Sequence, residues 1–187
     1  MNLTWTSLPR PSPAIAGSVI AMLRSHFIDF GSFDSKMEIW GGENIELSLR
    51  AWMCGGRVEI IPCSHVSHLF RSSHDYSFPT GKLVTIMQNL KRVALVWIES
   101  SRNLQIESIT YSVPPMALFY SSQQEALKVS VGDINSRERL RRRLDCKDFA
   151  WFVDNIYPDL KSKGRSIRLR DNAMVKAQRS SFISTRT

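Results

Sequence analysis

The sequence predicts an α/β fold, in which short strands alternate with amphipathic helices. An apolar, β-compatible stretch follows the prolines near residue 11 and is expected to form a strand that ends near Leu23. Residues 43–53 and 82–98 carry apolar side chains at helical spacing, and "RVEIIP" at residues 57–62 has the composition of a strand. The chain has 187 residues, of which 43% are hydrophobic, so it is long enough to bury a core.

The first two helices are predicted from their apolar spacing and their end signals. A short helix is expected over residues 25–30, ended by Gly31. A second helix begins at Glu43, because Ile45, Leu49 and Trp52 then share one face, and the sequence Cys-Gly-Gly at residues 54–56 ends it.

The second half of the chain is predicted to be mainly helical. A long amphipathic helix is expected over residues 82–100, and Ser136 is expected to cap an arginine-rich helix. A last helix is expected to end at Pro158. Residues 63–81 are predicted to form a long loop, and loops of this length in compact domains are more often functional than not.

The positive charge is concentrated near the C-terminus. Residues 137–187 contain 14 Lys and Arg against 6 Asp and Glu, which accounts for the whole net charge of +8. Residues 161–187 are expected to form a disordered basic tail. The arginine run at residues 137–143 allows a nucleic-acid partner, but a solvated helix face is the favoured interpretation, because aromatic residues do not alternate with the arginines. We therefore expect no nucleic-acid partner.

The stretch "WGGEN", residues 40–44, has two interpretations. In the first, it is a helix-capping turn, and Trp40 anchors it to the core. In the second, it is a sugar site, in which the glycines admit the ligand, the indole of Trp40 covers a pyranose face, and Glu43 and Asn44 bind its hydroxyls. The local pattern leaves both open.

A second candidate site is the stretch "PCSHVSHLFRSSHDY", residues 62–76. His65 and His68 have the spacing to face one metal ion, and positive and hydrogen-bonding side chains that suit a diphosphate follow them. Two alternatives are ordinary loop histidines and a structural zinc ion, although the spacing matches no common zinc-finger pattern. The residues of the zinc alternative are Cys54, Cys63, His65 and His68.

Several motifs resemble a known enzyme family. They are "SPAIAG", "FDSKMEIWGGENIELSLRAWMCGG", "VEIIPCSHVSHLFR", "YSFPTG", "VWIES" and "GDINSRERLRRRLDCKDFAWFVDNIYP". In this order they are similar to the second half of the catalytic domain of polypeptide N-acetylgalactosaminyltransferases, over residues 9–99 and 131–159. The resemblance implies that residues 1–160 form the C-terminal half of a GT-A glycosyltransferase domain. Residues 104–130 do not resemble the family and are expected to be divergent or inserted.

The resemblance also implies an activity. Enzymes of this family transfer N-acetylgalactosamine from UDP-N-acetylgalactosamine to Ser or Thr hydroxyls of polypeptides in the Golgi apparatus, with retention at the anomeric carbon. Mn²⁺ binds the donor diphosphate, which itself takes the acceptor proton as it leaves. A membrane anchor is expected in the full-length parent but not in this chain.

Site residues follow from the same resemblance, position by position. His68 is implied as a metal ligand, and Trp40 and Glu43 are implied at the catalytic centre, where Trp40 gates the donor pocket. The residues implied in donor binding are Gly17, Asn44, Arg71, His74 and Tyr76. Cys54 is implied to pair with Cys146, and Cys63 with a cysteine upstream of this chain.

One feature of the family pattern is missing from the sequence. The family's other metal ligands come from an Asp-x-His motif, and none occurs in these residues. A single imidazole is a poor Mn²⁺ site, because this cation prefers several oxygen ligands. Whether the chain is an enzyme by itself is therefore left open, and the alternative is an inactive short form that acts as a binding or interaction module.

Overall fold

The computed structural model describes residues 8–70, 73, 75–99 and 114–163. Within them the chain forms helices around a single apolar cluster, together with a small antiparallel sheet. In the sheet, Arg10 lies opposite Ile60, and Pro11 lies opposite Glu59. The elements are β1 (Arg10–Pro11), α1 (Arg24–Asp29), α2 (Glu43–Met53), β2 (Glu59–Ile60), α3 (Lys82–Val93) with a π-helical turn (Ala94–Ile98), α4 (Pro115–Ser122), a 3₁₀ helix (Gln124–Lys128), α5 (Asn135–Arg143), α6 (Phe149–Asn155) and α7 (Asp159–Lys163).

The core lies where α2, the end of α3 and α6 pack together. The π-helical turn, closed by a bond from Glu99 N–H to Ala94 O, extends α3 and places Val96 and Trp97 in this core. Helix α2 is buried along nearly its whole length. Its apolar side chains face the core cluster, while polar side chains such as Glu46 and Arg50 are buried in hydrogen bonds and ion pairs. The buried apolar residues of the cluster are Ile45, Leu49, Trp52, Met53, Val93, Val96, Trp97, Phe152 and Val153.

The strand predicted up to Leu23 is mostly wrong, because β1 contains only Arg10 and Pro11. The Ser12 N–H still donates to Val58 O at 3.0 Å beside β2, but other backbone groups after β1 bind side chains of α2. The Ile15 N–H donates to Ser48 Oγ (2.8 Å), and the indole N–H of Trp52 donates to Ser12 O (2.9 Å). The predicted strand at residues 57–62 is likewise reduced to Glu59–Ile60.

The helix predictions agree better with the structure. The predicted helices at residues 25–30, 43–53 and 82–100 are confirmed within about two residues at each end. Ser136 is not a cap, because it lies inside α5, and Asp133 Oδ1 accepts from Asn135 N–H instead. The helix expected before Pro158 is confirmed as α6, and its N-cap Asp148 accepts from Trp151 N–H at 2.7 Å. It is not the last helix of the described residues, because α7 follows it.

The expected disordered tail and the expected insertion stay predictions. Residues 164–187, most of the expected disordered tail, lie outside the described residues. Of the expected insertion, residues 114–130 are described, and they contact α3, where the Lys91 ammonium donates to Val129 O at 2.9 Å. None of the helices in the described ranges is long and apolar enough to cross a membrane.

A disulfide connects the segments that follow helices α2 and α5. Cys54, just after α2, is bonded to Cys146, which follows α5, while Cys63 is free and exposed. The pairing implied by the family resemblance is confirmed. Because the bond closes a sequence separation of 92 residues, it stabilises the fold by about 3–5 kcal/mol in the chain-entropy account. Beside it, Lys147 N–H donates to Met53 O at 2.7 Å.

Two buried ionic groups complete the interior, and neither follows from apolar spacing. Arg92 donates to both oxygens of Asp34 at 2.9 and 3.0 Å, and both residues are almost fully buried. Glu46 accepts from Arg50 at 2.9 Å and from Arg137 at 2.7 Å. These contacts connect residues 31–34 with α2, α3 and α5.

Candidate functional site

The turn at residues 38–44 is tightly constrained by helix α3. Gly41 and Gly42 both have left-handed φ values, +98° and +97°, which a residue with a side chain rarely adopts. A Cβ at position 41 would lie 3.3 Å from Ile86 Cγ1, and one at position 42 would lie 3.4 Å from Asn89 Cβ. The backbone torsions and the closeness of α3 therefore account for both glycines without any ligand.

Asn89 connects this turn to α3 through three hydrogen bonds. Its side-chain oxygen accepts from Glu38 N–H at 3.0 Å, and its amide group donates to Glu38 O at 2.8 Å and Trp40 O at 3.3 Å. The side chain is 2% exposed, so these bonds are shielded from water. Asn89 thus fixes the backbone that carries Trp40.

The role of Asn89 does not follow from the apolar spacing of this helix. A signal was present, since Thr85, Asn89 and Arg92 recur at helical spacing and are all buried. A polar set at that spacing within an amphipathic helix marks a buried hydrogen-bonding stripe.

Glu43 and Asn44 begin α2 and are both partly used by the protein itself. Glu43 Oε2 accepts from Gly41 N–H at 2.8 Å, which closes the turn before the helix. The Asn44 amide donates to Ile15 O at 2.9 Å, and Asn44 is 6% exposed. The turn before the helix is present, and Glu43 remains half-exposed beside it. The two interpretations of this stretch are therefore compatible with each other.

Gly17 lies against Asn44. A Cβ at position 17 would lie 3.4 Å from both Cβ and Cγ of Asn44, so the two residues are in contact across 27 positions of sequence. The hydrogen bond from Asn44 to Ile15 sets this arrangement. The structure thus brings Gly17 next to the turn that carries Trp40, Glu43 and Asn44.

The remaining predicted site residues belong to the loop at residues 61–81. His68 is exposed, and its ring packs on Phe70 with centroids 4.3 Å apart. Tyr76 is 45% exposed and forms an edge contact with Phe78 at 5.7 Å. Arg71 and His74 lie outside the described residues, so their roles stay predictions.

The metal-ligand chemistry of the described residues is incomplete. Within the described ranges no group of three or more His, Cys, Asp and Glu could hold a metal ion. His68 offers one imidazole, which does not fit a complete site for a hard cation such as Mn²⁺. The zinc alternative is wrong, because Cys54 is in a disulfide and has no thiolate to offer.

The arginine-rich helix α5 is less exposed to solvent than predicted. Arg137 is 6% exposed and paired with Glu46, and Arg141 donates to Val96 O at 2.5 Å. Only part of the arginine run therefore faces solvent, for example Arg142, whose side chain is 56% exposed. The fold uses arginines of this run to bind the core helices.

Comparison with known proteins gives consistent matches. A family model described as "N-terminal domain of galactosyltransferase" matches residues 2–75. Polypeptide N-acetylgalactosaminyltransferase 16 of Mus musculus is 39% identical over 160 residues, covering 86% of this chain and 26% of that protein. Polypeptide N-acetylgalactosaminyltransferase 4 of Caenorhabditis elegans is 39% identical over 166 residues, with 87% and 26% covered.

A solved structure extends the match to the fold. The crystal structure of GalNAc-T7 with UDP, GalNAc and Mn²⁺ is similar with a TM-score of 0.65 and 32% sequence identity. The alignment covers 83% of this chain and 26% of that one. The predicted partial GT-A fold is thereby confirmed, and the chain spans about a quarter of the length of these relatives.

Proposed function

Because the chain belongs to the polypeptide N-acetylgalactosaminyltransferase family, we propose that it forms the donor-binding second half of a GT-A transferase domain. The proposed reaction transfers N-acetylgalactosamine from UDP-N-acetylgalactosamine to Ser or Thr hydroxyls of polypeptides, with retention. It initiates mucin-type O-glycosylation in the Golgi apparatus. The observation that supports this most directly is the contact of Gly17 with Asn44 beside the turn that carries Trp40 and Glu43.

In this proposal the turn at residues 38–44 binds the sugar. Trp40 is half-buried and covers an apolar face of the pyranose, as an indole can. Glu43 uses Oε2 for Gly41 N–H, which leaves Oε1 to accept from a sugar hydroxyl. Asn44 and Gly17 shape the wall of the pocket, because the Asn44 amide already donates to Ile15 O.

The loop at residues 61–81 is proposed to bind the diphosphate. Arg71, His74 and Tyr76 would offset the charge that develops on the leaving group, which is the main electrostatic task in this reaction. His68 is proposed as one ligand of Mn²⁺. The described residues do not complete a Mn²⁺ site. The remaining ligands of the metal would therefore have to come from elsewhere in a transferase domain.

Two measurements on the purified chain test this function. Calorimetric titration with UDP, with and without Mn²⁺, measures donor binding, and a transfer assay with a Ser/Thr peptide measures catalysis. We expect UDP to bind and Mn²⁺ to tighten the complex. Absence of UDP binding under both conditions contradicts the assignment of a donor site.

A matched pair of variants tests the role of Glu43. In Glu43→Gln, the amide oxygen still accepts from Gly41 N–H, so the turn is retained while the charge is lost. We expect the affinity for UDP-N-acetylgalactosamine to fall by about 10–100-fold, the value of a hydrogen bond to a charged group, and that for UDP to stay unchanged. Glu59→Gln, on β2, is the control and alters neither affinity. Equal affinities for the sugar nucleotide in both variants would remove Glu43 from the site.

A second candidate is a binding module without catalysis. It is favoured by the incomplete metal-ligand set of the described residues. UDP binding that is insensitive to Mn²⁺, together with no transfer to the peptide, distinguishes this module from the transferase.

A further inference from the structure

A basic groove lies between residues 31–35 and helix α5. Its volume is about 470 Å³, which is large enough for several side chains of a ligand. Three arginines and two hydroxyl-bearing residues line it, and no carboxylate does. The lining residues are Gly31, Phe33, Ser35, Ser136, Arg137, Arg139, Leu140 and Arg143.

The wall of the groove carries uncompensated positive charge from the buried core. Arg137 donates to Glu46 at 2.7 Å and to Gly31 O at 2.8 Å, and Glu46 also binds Arg50 at 2.9 Å. One carboxylate therefore serves two guanidinium groups, and this cluster has a net charge of +1. Burial lowers the pKa of Arg50, and the nearby charge of Arg137 lowers it further, although Glu46 acts in the opposite direction.

The Asp34 carboxylate also acts to raise the pKa of Arg50, but it does not remove the excess positive charge. It is bound at both oxygens by Arg92, at 2.9 and 3.0 Å, so that pair is neutral by itself. The Nε atom of Arg137 is also buried without a hydrogen-bond partner. The cluster of Glu46, Arg50 and Arg137 thus keeps its net positive charge beside the groove.

The outer part of the groove adds two further arginines. Within the described residues, Arg139 and Arg143 form no ion pair, and Arg143 only donates to Asp29 O at 3.4 Å. Ser136 lies in the first turn of α5, where the helix dipole also favours negative charge. All of these groups attract an anion, and together they favour one that presents several oxygens.

We propose that this groove binds an acidic segment of a polypeptide, whose carboxylates face Arg139 and Arg143. A nucleic acid fits less well, because Phe33 is the single aromatic residue of the lining and successive bases need several stacking partners. The chain's own residues 164–187 fit poorly too, since they are basic and contain one acidic residue, Asp171. The proposal does not depend on donor binding or transfer.

Fluorescence anisotropy with a labelled peptide of alternating Glu and Gly tests the groove. We expect the full chain to bind this peptide, and the affinity to fall as salt is raised, because screening weakens exposed ion pairs. The same peptide with Gln in place of Glu is expected to bind at least tenfold more weakly. Equal binding of the two peptides would overturn the proposal.

Two variants of α5 locate the binding site. Arg139→Glu is expected to weaken binding of the Glu peptide by at least tenfold. Arg142→Glu makes the same change of charge on the same helix, but Arg142 does not line the groove, and we expect less than a threefold effect. Circular dichroism checks that both variants are folded. If both variants lose the same affinity for the Glu peptide, binding depends on the net charge of the chain, and a defined groove is contradicted.

A single-stranded oligonucleotide separates the two classes of partner. If it displaces the Glu peptide and binds more tightly in an Arg139-dependent way, the groove is a nucleic-acid site and the acidic-peptide proposal is wrong. If it binds more weakly than the peptide, the proposal is supported.

Discussion

The start of helix α2 and the loop at residues 61–81 both carry predicted donor-site residues, but the rest of the chain contacts them very differently. At the start of α2, Asn44 is 6% exposed, and the turn before it is held by three bonds from Asn89. In the loop, nearly all described residues are exposed, and Leu69 reaches 85%. The rings of His68 and Tyr76 pack on Phe70 and Phe78 of the same loop.

The difference shows how the two halves of the proposed site obtain their geometry. The sugar-binding half is shaped by buried hydrogen bonds within this chain, so it is organised before a ligand arrives. The diphosphate-binding half has few buried contacts among its described residues, and such segments have low local stability. We therefore expect substitutions in the first region to change folding, and substitutions in the second to leave folding almost unchanged.

The largest expected effect is the loss of Glu46. The variant Glu46→Ala leaves Arg50 and Arg137 buried without a carboxylate, and breaking a buried ion pair in this way costs about 3–5 kcal/mol. Thermal unfolding should show Tm lowered by about 10 °C for a chain of this size. Glu125→Ala, which removes an exposed pair with Lys128, is the control and should shift Tm little. Similar Tm values for the two variants would disprove the central role of this cluster.

A smaller and more local effect is expected at Asn89. Asn89→Ala removes three hydrogen bonds to Glu38 and Trp40 and should cost about 1–3 kcal/mol, since buried partners are left unsatisfied. Amide hydrogen exchange should accelerate at Glu38, whose N–H loses its acceptor, more than at Glu46, whose N–H donates to Gly42 O. The neighbouring Gln88→Ala, which loses one exposed bond to Ser130 O, is the control. Unchanged exchange at Glu38 would contradict the role given to Asn89.

The smallest effect is expected in the loop. Leu69→Ser replaces a side chain that is 85% exposed, and its effect on the free energy of unfolding should stay within about 0.5 kcal/mol. Urea denaturation followed by tryptophan fluorescence measures this. Ile45→Ser, a core position, is the contrasting variant and should cost several times more. A large loss for Leu69→Ser would show that the loop is packed against the fold and would remove the distinction between the two regions.

Local sequence patterns determined several helices of this protein, but not α4, the 3₁₀ helix or α7. The spacing of Ile45, Leu49 and Trp52 predicted α2, and the Cys-Gly-Gly sequence predicted its end, because one amphipathic helix can be identified from its own residues. The motif order also identified the family and, through it, the Cys54–Cys146 bond. The roles of Trp40, Glu43, His68, Arg71, His74 and Tyr76 as site residues stay predictions.

The tertiary structure alone decided how those elements are joined. The strand expected before Leu23 shrank to two residues, because the Ile15 and Ser12 backbone groups bind Ser48 and Trp52 of α2. Arg137, expected on a solvated helix face, became a core residue through Glu46, which lies 91 positions away. Such contacts depend on groups that are distant in sequence and meet only in the folded chain. A pattern within one segment contains no information about the partner that the fold will bring to it.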